Sequence, residues 1–144
     1  MAKRKRILMI DDDINLVDVF RAVFETRGYD FEEAHSATEG LEKIKQTHPD
    51  LIILDVIMED FVAGFRVVNE LRTGGDESEY RAFSKTPILM LTSVTSKTNL
   101  DFSDRVGTAL LPVDAFMEKP VRPGELLATI EKLLAAQEKT DPNS

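Results

Sequence analysis

Residues 50–60 read DLIILDVIMED, four consecutive apolar residues, Leu51 to Leu54, running straight into a lone carboxylate, Asp55. A short, unbroken and largely branched apolar run fits a strand buried on both faces. A carboxylate is costly to bury without a partner, so Asp55 needs a reason to stand there. That reason has to come from what the chain places at its other strand ends.

Upstream, Lys5 to Ile10 is another bulky apolar run, and from Ile14 the period changes: Ile14, Val17, Phe20 and Phe24 recur at helical spacing up to a stop at Gly28. Tyr29 to Ala34 reads as a second strand. Ser36-Ala37-Thr38-Glu39 has the form of a capping box opening a helix to about Thr47, which Pro49 closes. Downstream, Gly64 to about Arg72 carries Phe65, Val68 and Leu71 on one helical face, and Thr73 to Thr86, with Gly74-Gly75, reads as a long surface loop. PILML, Pro87 to Leu91, is a fourth strand and Ala115 to Met117 a short fifth. A last helix starts near Pro123 and buries Leu126, Leu127, Ile130, Leu133 and Leu134. Strands alternating with helices imply an α/β fold with a five-stranded parallel sheet covered on both faces. Residues 1–136 are expected to form one domain and 137–144 a polar C-terminal tail. Val94 to Asp114 follows no clean period and is expected to be partly irregular.

The 144 residues suit a single core, and 42% hydrophobic with 31% charged residues is ordinary for a globular chain. A net charge of −8 opposes binding to a polyanion, leaving only the run Lys3 to Arg6 as a local nucleic-acid contact; direct nucleic-acid binding and membrane insertion are therefore not expected. With no cysteine there is no disulfide framework and no thiolate metal site, and the apolar run Ile7 to Ile10 is too short for a signal sequence. The expected location is cytoplasmic.

In open parallel sheets ligands bind beyond the carboxyl ends of the strands. Those ends carry Asp11, Asp12 and Asp13 after strand one, Asp55 after strand three, Thr92 and Ser93 after strand four, and Lys119-Pro120 after strand five. Asp55 then ends a buried strand because the strand delivers it to a shared acidic crevice. Two like charges about 4 Å apart repel by roughly 4 kcal/mol at an effective dielectric near 20, so such a crevice takes up protons or a cation. Carboxylates with backbone carbonyls and water suit a hard octahedral ion, Mg²⁺. Each residue alone has a plainer reading: Asp13 as a helix cap, Thr92 as structural, Lys119 as a solvated lysine. The ordered set is far more specific.

From ILMIDDD through DLIILDVIM and PILMLTS to DAFMEKPV, nearly the whole chain resembles the response-regulator receiver domains of two-component signalling. The resemblance implies the doubly wound, flavodoxin-like strand order 2-1-3-4-5. It implies that Asp55 is the phosphoacceptor, that Asp12 binds Mg²⁺ directly and Asp11 largely through water, and that the backbone carbonyl of Ile57 is a further ligand. Thr92 would donate its hydroxyl to the phosphoryl group, Lys119 would pair with it, and Phe116 falls at the switch-aromatic position, where its plain alternative is a core aromatic. The implied partners are a sensor histidine kinase or phosphotransfer protein and a downstream protein. The implied chemistry is phosphorylation from a donor and not turnover of a substrate, and the apolar Ile57 and Val94, two residues beyond Asp55 and Thr92, lead to the expectation of slow self-dephosphorylation.

The chain departs from the family pattern beside the acceptor, where Glu59 replaces a proline and Gly64 arrives one residue late. TGGDESEYRAFSKT lengthens the stretch before strand four, and SKTNLDFSDRVGTALLPVD lacks the compact fourth helix. Stand-alone receivers sharing the ME…GF and KT…F…LPVDAF pattern are the nearest subgroup, and a single-domain regulator acting by protein contact is the expectation. Two rival readings remain open on sequence. One is a haloacid-dehalogenase-type phosphohydrolase with Asp11 as nucleophile and Asp13 as acid/base, which leaves Asp55 unexplained. The other is a receiver-like scaffold that is not phosphorylated.

Overall fold

The computed structural model describes residues 4–55, 61–73, 79–92 and 113–140. Five strands and four helices follow in the order β1 (Arg6–Ile10), α1 (Ile14–Thr26), β2 (Asp30–Ala34), α2 (Ala37–Thr47), β3 (Leu51–Asp55), α3 (Phe61–Thr73), β4 (Ile88–Thr92), β5 (Ala115–Glu118) and α4 (Pro123–Thr140), with a 3₁₀ turn at Arg81–Phe83. All strand pairs are parallel and the order is β2-β1-β3-β4-β5. The expected α/β fold and strand order are what the structure has.

Strand alternation sorts the core into two layers. Leu8, Ile10, Ile52, Leu54, Ile88 and Met90 face α2 and α3, meeting Leu41, Ile44, Val67, Val68 and Leu71. Ile7, Met9, Leu51, Ile53, Leu89 and Leu91 face α1 and α4, meeting Val17, Phe20, Phe24, Leu126, Leu127 and Ile130. Every residue of β3 is buried because both faces are covered. Helix α2 lies unusually close to β1: a Cβ added at Gly40 would stand 2.6 Å from Ile10 Cδ1 and 3.0 Å from its Cγ1 and Cγ2.

Local chemistry explains most boundaries. The Ser36 hydroxyl accepts from Glu39 N–H at 3.1 Å, the first half of a capping box, and Glu39 Oε2 accepts from the N–H of His35, one residue before the cap, at 3.1 Å. Helix α1 ends on Arg27 with Gly28 beyond it at φ +87°, a left-handed conformation that glycine adopts without strain. His48 takes that conformation at the end of α2, with φ 50°.

Four boundaries differ from the expectation. Asp55 is the last residue of β3 rather than the first beyond it, and α3 starts at Phe61, so Gly64 lies in its first turn. The stretch before β4 is no plain surface loop: Tyr80 and Phe83 are buried in the α2/α3 layer. They are held by Lys45, which sits 5.5 Å over the Tyr80 ring and pairs with Glu79, and by the His48 ring, 5.3 Å from that of Phe83. Helix α4 continues through residues 137–140, and Leu133 on it is only half-buried. The expectation of an irregular helix between β4 and β5 lies outside the described residues, as does the remodelled loop at Glu59. Among the described residues no helix is long and apolar enough to cross a membrane.

Candidate functional site

The carboxyl ends of β1, β3 and β5 lie at one edge of the sheet, because all its strands run parallel. The backbone of Asp11 is fixed first: its N–H donates to the Ala34 carbonyl at 3.0 Å, tying the end of β1 to that of β2. Its Oδ1 then accepts from Asp13 N–H at 2.9 Å. Asp13 caps α1, its Oδ1 accepting from Leu16 N–H at 3.2 Å, the plain role its position suggested.

Asp11 is fully buried and Asp55 is 3% exposed, the two buried charged residues among those described, while Asp12 is exposed beside them. One carboxylate oxygen from each of Asp11, Asp12 and Asp55 lies within 4.8 Å of the others. Lys119, just beyond β5, brings its ammonium into this group, donating to Asp11 Oδ2 at 2.9 Å and Asp55 Oδ2 at 3.4 Å. Burial pushes the Lys119 ammonium down, but the bond to Asp11 and the attraction of Asp55 and Asp11 outweigh it and leave its pKa raised. It is therefore a fixed positive charge at neutral pH. One ammonium among three carboxylates leaves a deficit of positive charge, and an all-oxygen donor set of this size fits a hard divalent ion such as Mg²⁺.

Thr92 closes β4 directly opposite Glu118, the residue before Lys119, so the backbone brings it to the same edge. Phe116 sits opposite Met90 in β5, half-buried and packed on the α2/α3 layer. Ile57 lies outside the described residues. The sequence reading did not foresee the Ala34 carbonyl as the support of Asp11; the signal for it is that neighbouring parallel strands present their last residues side by side. Nor did it single out Arg72, whose only sequence signal is a basic residue in the last turn of a helix.

Known proteins sharing this architecture bear on its use. The family described as response regulator receiver domain matches residues 7–131. A probable transcriptional regulator ycf27 of Porphyridium aerugineum is 34% identical over 146 residues, covering 99% of this chain and 53% of that protein. Response regulator MprA of Mycobacterium ulcerans is 36% identical over 129 residues, covering 90% and 50%. The chain thus spans about half the length of these relatives. Among solved structures, a CheY-like receiver domain protein from Methanospirillum hungatei superposes with a TM-score of 0.75 at 30% identity over 96% of this chain and 100% of that one. Chemotaxis response regulator CheY4 of Vibrio cholerae gives 0.70 at 30% identity over 91% and 99%.

Proposed function

This chain belongs to the response regulator receiver domain family of two-component systems, and from that premise we propose that it takes a phosphoryl group onto Asp55 and passes the signal on by a change of shape. The observation that carries the reading is Asp55 at the end of a fully buried strand, 3.4 Å from the Lys119 ammonium and grouped with Asp11 and Asp12. An Asp55 carboxylate oxygen attacks the phosphorus of a phosphohistidine on a sensor kinase or phosphotransfer protein. The new P–O bond forms as the P–N bond breaks, and the imidazole leaves with the bonding pair and is reprotonated from solvent.

The protein's part is to place groups and balance charge. Asp11, Asp12, Asp55 and the backbone carbonyl of Ile57 would hold Mg²⁺, which supplies neutralisation of phosphoryl oxygens when bound. Lys119 lies where it can exchange a carboxylate oxygen for a phosphoryl one. Thr92 would donate its hydroxyl to the phosphoryl group, and Phe116 would turn inward as Thr92 moves, shifting the population toward a form that binds a downstream protein. A net charge of −8 favours a protein over nucleic acid as that target. This is a signalling module rather than an enzyme that turns over a substrate.

Intact mass after incubation with acetyl phosphate and Mg²⁺ tests the reading. The native protein should gain one phosphoryl group and Asp55→Asn none. No gain in the native protein, with a competent receiver labelled in parallel, would refute it.

A further inference from the structure

At the opposite end of the sheet from the acidic crevice, one guanidinium joins three chain segments. Arg72, in the last turn of α3, donates from Nη1 to the Ser84 carbonyl at 2.8 Å and from Nη2 to the Thr86 carbonyl at 2.8 Å. The same Nη2 reaches Asp114 Oδ2 at 3.1 Å. Asp114 is the residue before β5, and it locks onto the start of β4 twice: its Oδ2 accepts from Ile88 N–H at 2.9 Å and its N–H donates to the Ile88 carbonyl at 2.9 Å. The Arg72 side chain is only 13% exposed while that of Asp114 is 43% exposed, so the guanidinium is largely desolvated and the carboxylate it holds stands partly in water.

The clasp stands where the pairing of β5 with β4 begins. From Asp114 the register runs Leu89 with Ala115, Met90 with Phe116, Leu91 with Met117 and Thr92 with Glu118, and the next residue is Lys119. Strand β5 is four residues long, lies at the edge of the sheet and pairs with a strand on one side only. Its residues are half-exposed or exposed, unlike those of β1 and β3. A short edge strand has little of its own to hold its position along its neighbour, and the position of β5 sets how far Lys119 Nζ reaches toward Asp11 and Asp55.

We propose that Arg72 is a positioning residue for phosphoryl capture: through Asp114 it seats β5 on β4 and so places the Lys119 ammonium. The inference rests on the phosphoacceptor reading. The planar fork matters, because two η nitrogens serve two carbonyls and a carboxylate at once, which a lysine cannot reproduce.

The test compares native protein, Arg72→Met, Arg72→Lys and a core control, Phe24→Leu, which loosens the α1 layer where Phe24 meets Phe20, Tyr29 and Phe31, away from the Arg72 clasp. Three quantities are read: the rate of phosphorylation by acetyl phosphate with Mg²⁺, Mg²⁺ affinity from amide NMR titration, and amide hydrogen exchange in β5 without ligands. Arg72→Met should slow phosphorylation about tenfold, since small misplacements of a reacting group have effects of this order. Arg72→Lys should fall between it and native. Mg²⁺ affinity should hold or rise, because none of the expected ligands is on β5 and a displaced ammonium leaves the carboxylates more negative, and exchange should quicken across Ala115 to Glu118 while β1 and β3 keep their protection. The control should keep its rate even where its melting temperature falls as far.

Native rate and β5 protection in both Arg72 variants overturn the proposal. So does an equal loss of rate in the control, or a fall in Mg²⁺ affinity parallel to the rate, since each marks general loosening. If native protein takes no phosphoryl group the functional reading fails, while β5 exchange still decides whether Arg72 seats the strand.

Discussion

Replacing Lys119 with methionine removes the described cation from a group of three carboxylates, two of them buried, and the distances set the size of the effect. At an effective dielectric near 20, the 2.9 Å pair with Asp11 is worth roughly −5.7 kcal/mol and the 3.4 Å pair with Asp55 roughly −4.9 kcal/mol. Asp11 and Asp55 repel by at least about 3.5 kcal/mol at their separation of 4.8 Å or less. Substitution also returns the desolvation cost of the ammonium, several kcal/mol, so the net loss is about 3–5 kcal/mol, the usual scale for removing one partner of a buried pair. For a chain of this length that is a fall of about 10–17 °C in Tm. Thermal unfolding followed by circular dichroism in EDTA at pH 7 measures it. Excess Mg²⁺ should narrow the gap, because the variant crevice is the more negative and binds the ion more tightly. The folded pKa of Lys119 is raised, so its contribution is complete below the unfolded value near 10.4 and fades only as pH climbs through the folded one. The gap should therefore stay flat from about pH 6 to pH 9. A variant melting within about 2 °C of native in EDTA would show that the ammonium does not offset the buried charge.

Three further outcomes follow from separate parts of the molecule. Gly40→Ala should cost about 1–3 kcal/mol in urea unfolding despite alanine's better helix propensity, because its Cβ meets Ile10, and Ile10→Val in the same chain should recover part of the loss; a neutral Gly40→Ala would show that the contact yields. Phe83→Ala should cost about 3 kcal/mol while exposed Ser84→Ala stays within about 0.5, and equal small effects would return the stretch before β4 to a plain loop. The residues two beyond Asp55 and Thr92 are Ile57 and Val94, whose apolar side chains offer no hydrogen bond to an attacking water. The phosphorylated form should therefore outlast a tenfold dilution out of acetyl phosphate by minutes or more, and its loss within seconds at neutral pH would contradict this.

Much of the architecture was legible because it is written in short-range patterns. Strands β1, β3 and β4 are built on apolar runs, while β2 and β5 mix apolar and charged residues, and the helices carry 3.6-residue stripes, so β1 to β5 and α1, α2 and α4 fall within a residue or two of their expected starts. The carboxylates and Lys119 were legible because they interrupt or follow such runs. Local chemistry misled where tertiary packing overrides it. Gly74-Gly75 and the polar residues after them masked Tyr80 and Phe83, which are buried in the α2/α3 layer and meet Lys45 and His48, more than 30 residues away in sequence. At the end of α4, Ala135-Ala136-Gln137-Glu138-Lys139 is polar but made of good helix formers, so the helix runs on where a tail was expected. The Arg72 clasp was invisible for a similar reason: its meaning lies in Asp114, 42 residues on.

The site divides into halves of unequal rigidity. Asp11 follows β1 and Asp55 ends β3, strands buried on both faces, with β3 in the middle of the sheet and β1 beside it, and Asp11 is further pinned by the Ala34 carbonyl. Lys119 ends an edge strand whose residues are half-exposed or exposed, with Phe116 on the same strand and Thr92 at the end of its neighbour. Local opening is cheapest where few apolar contacts hold a segment. A phosphoryl group on Asp55 would therefore act on a fixed acceptor and an adjustable counter-charge, with β5 the more adjustable support. A new charge on Asp55 that drew Lys119 toward it would be taken up first by the flexible lysine stem and beyond that by displacement of the strand carrying Phe116, a link between the crevice and the surface around β5. Arg72 sets the resting position from which that displacement starts.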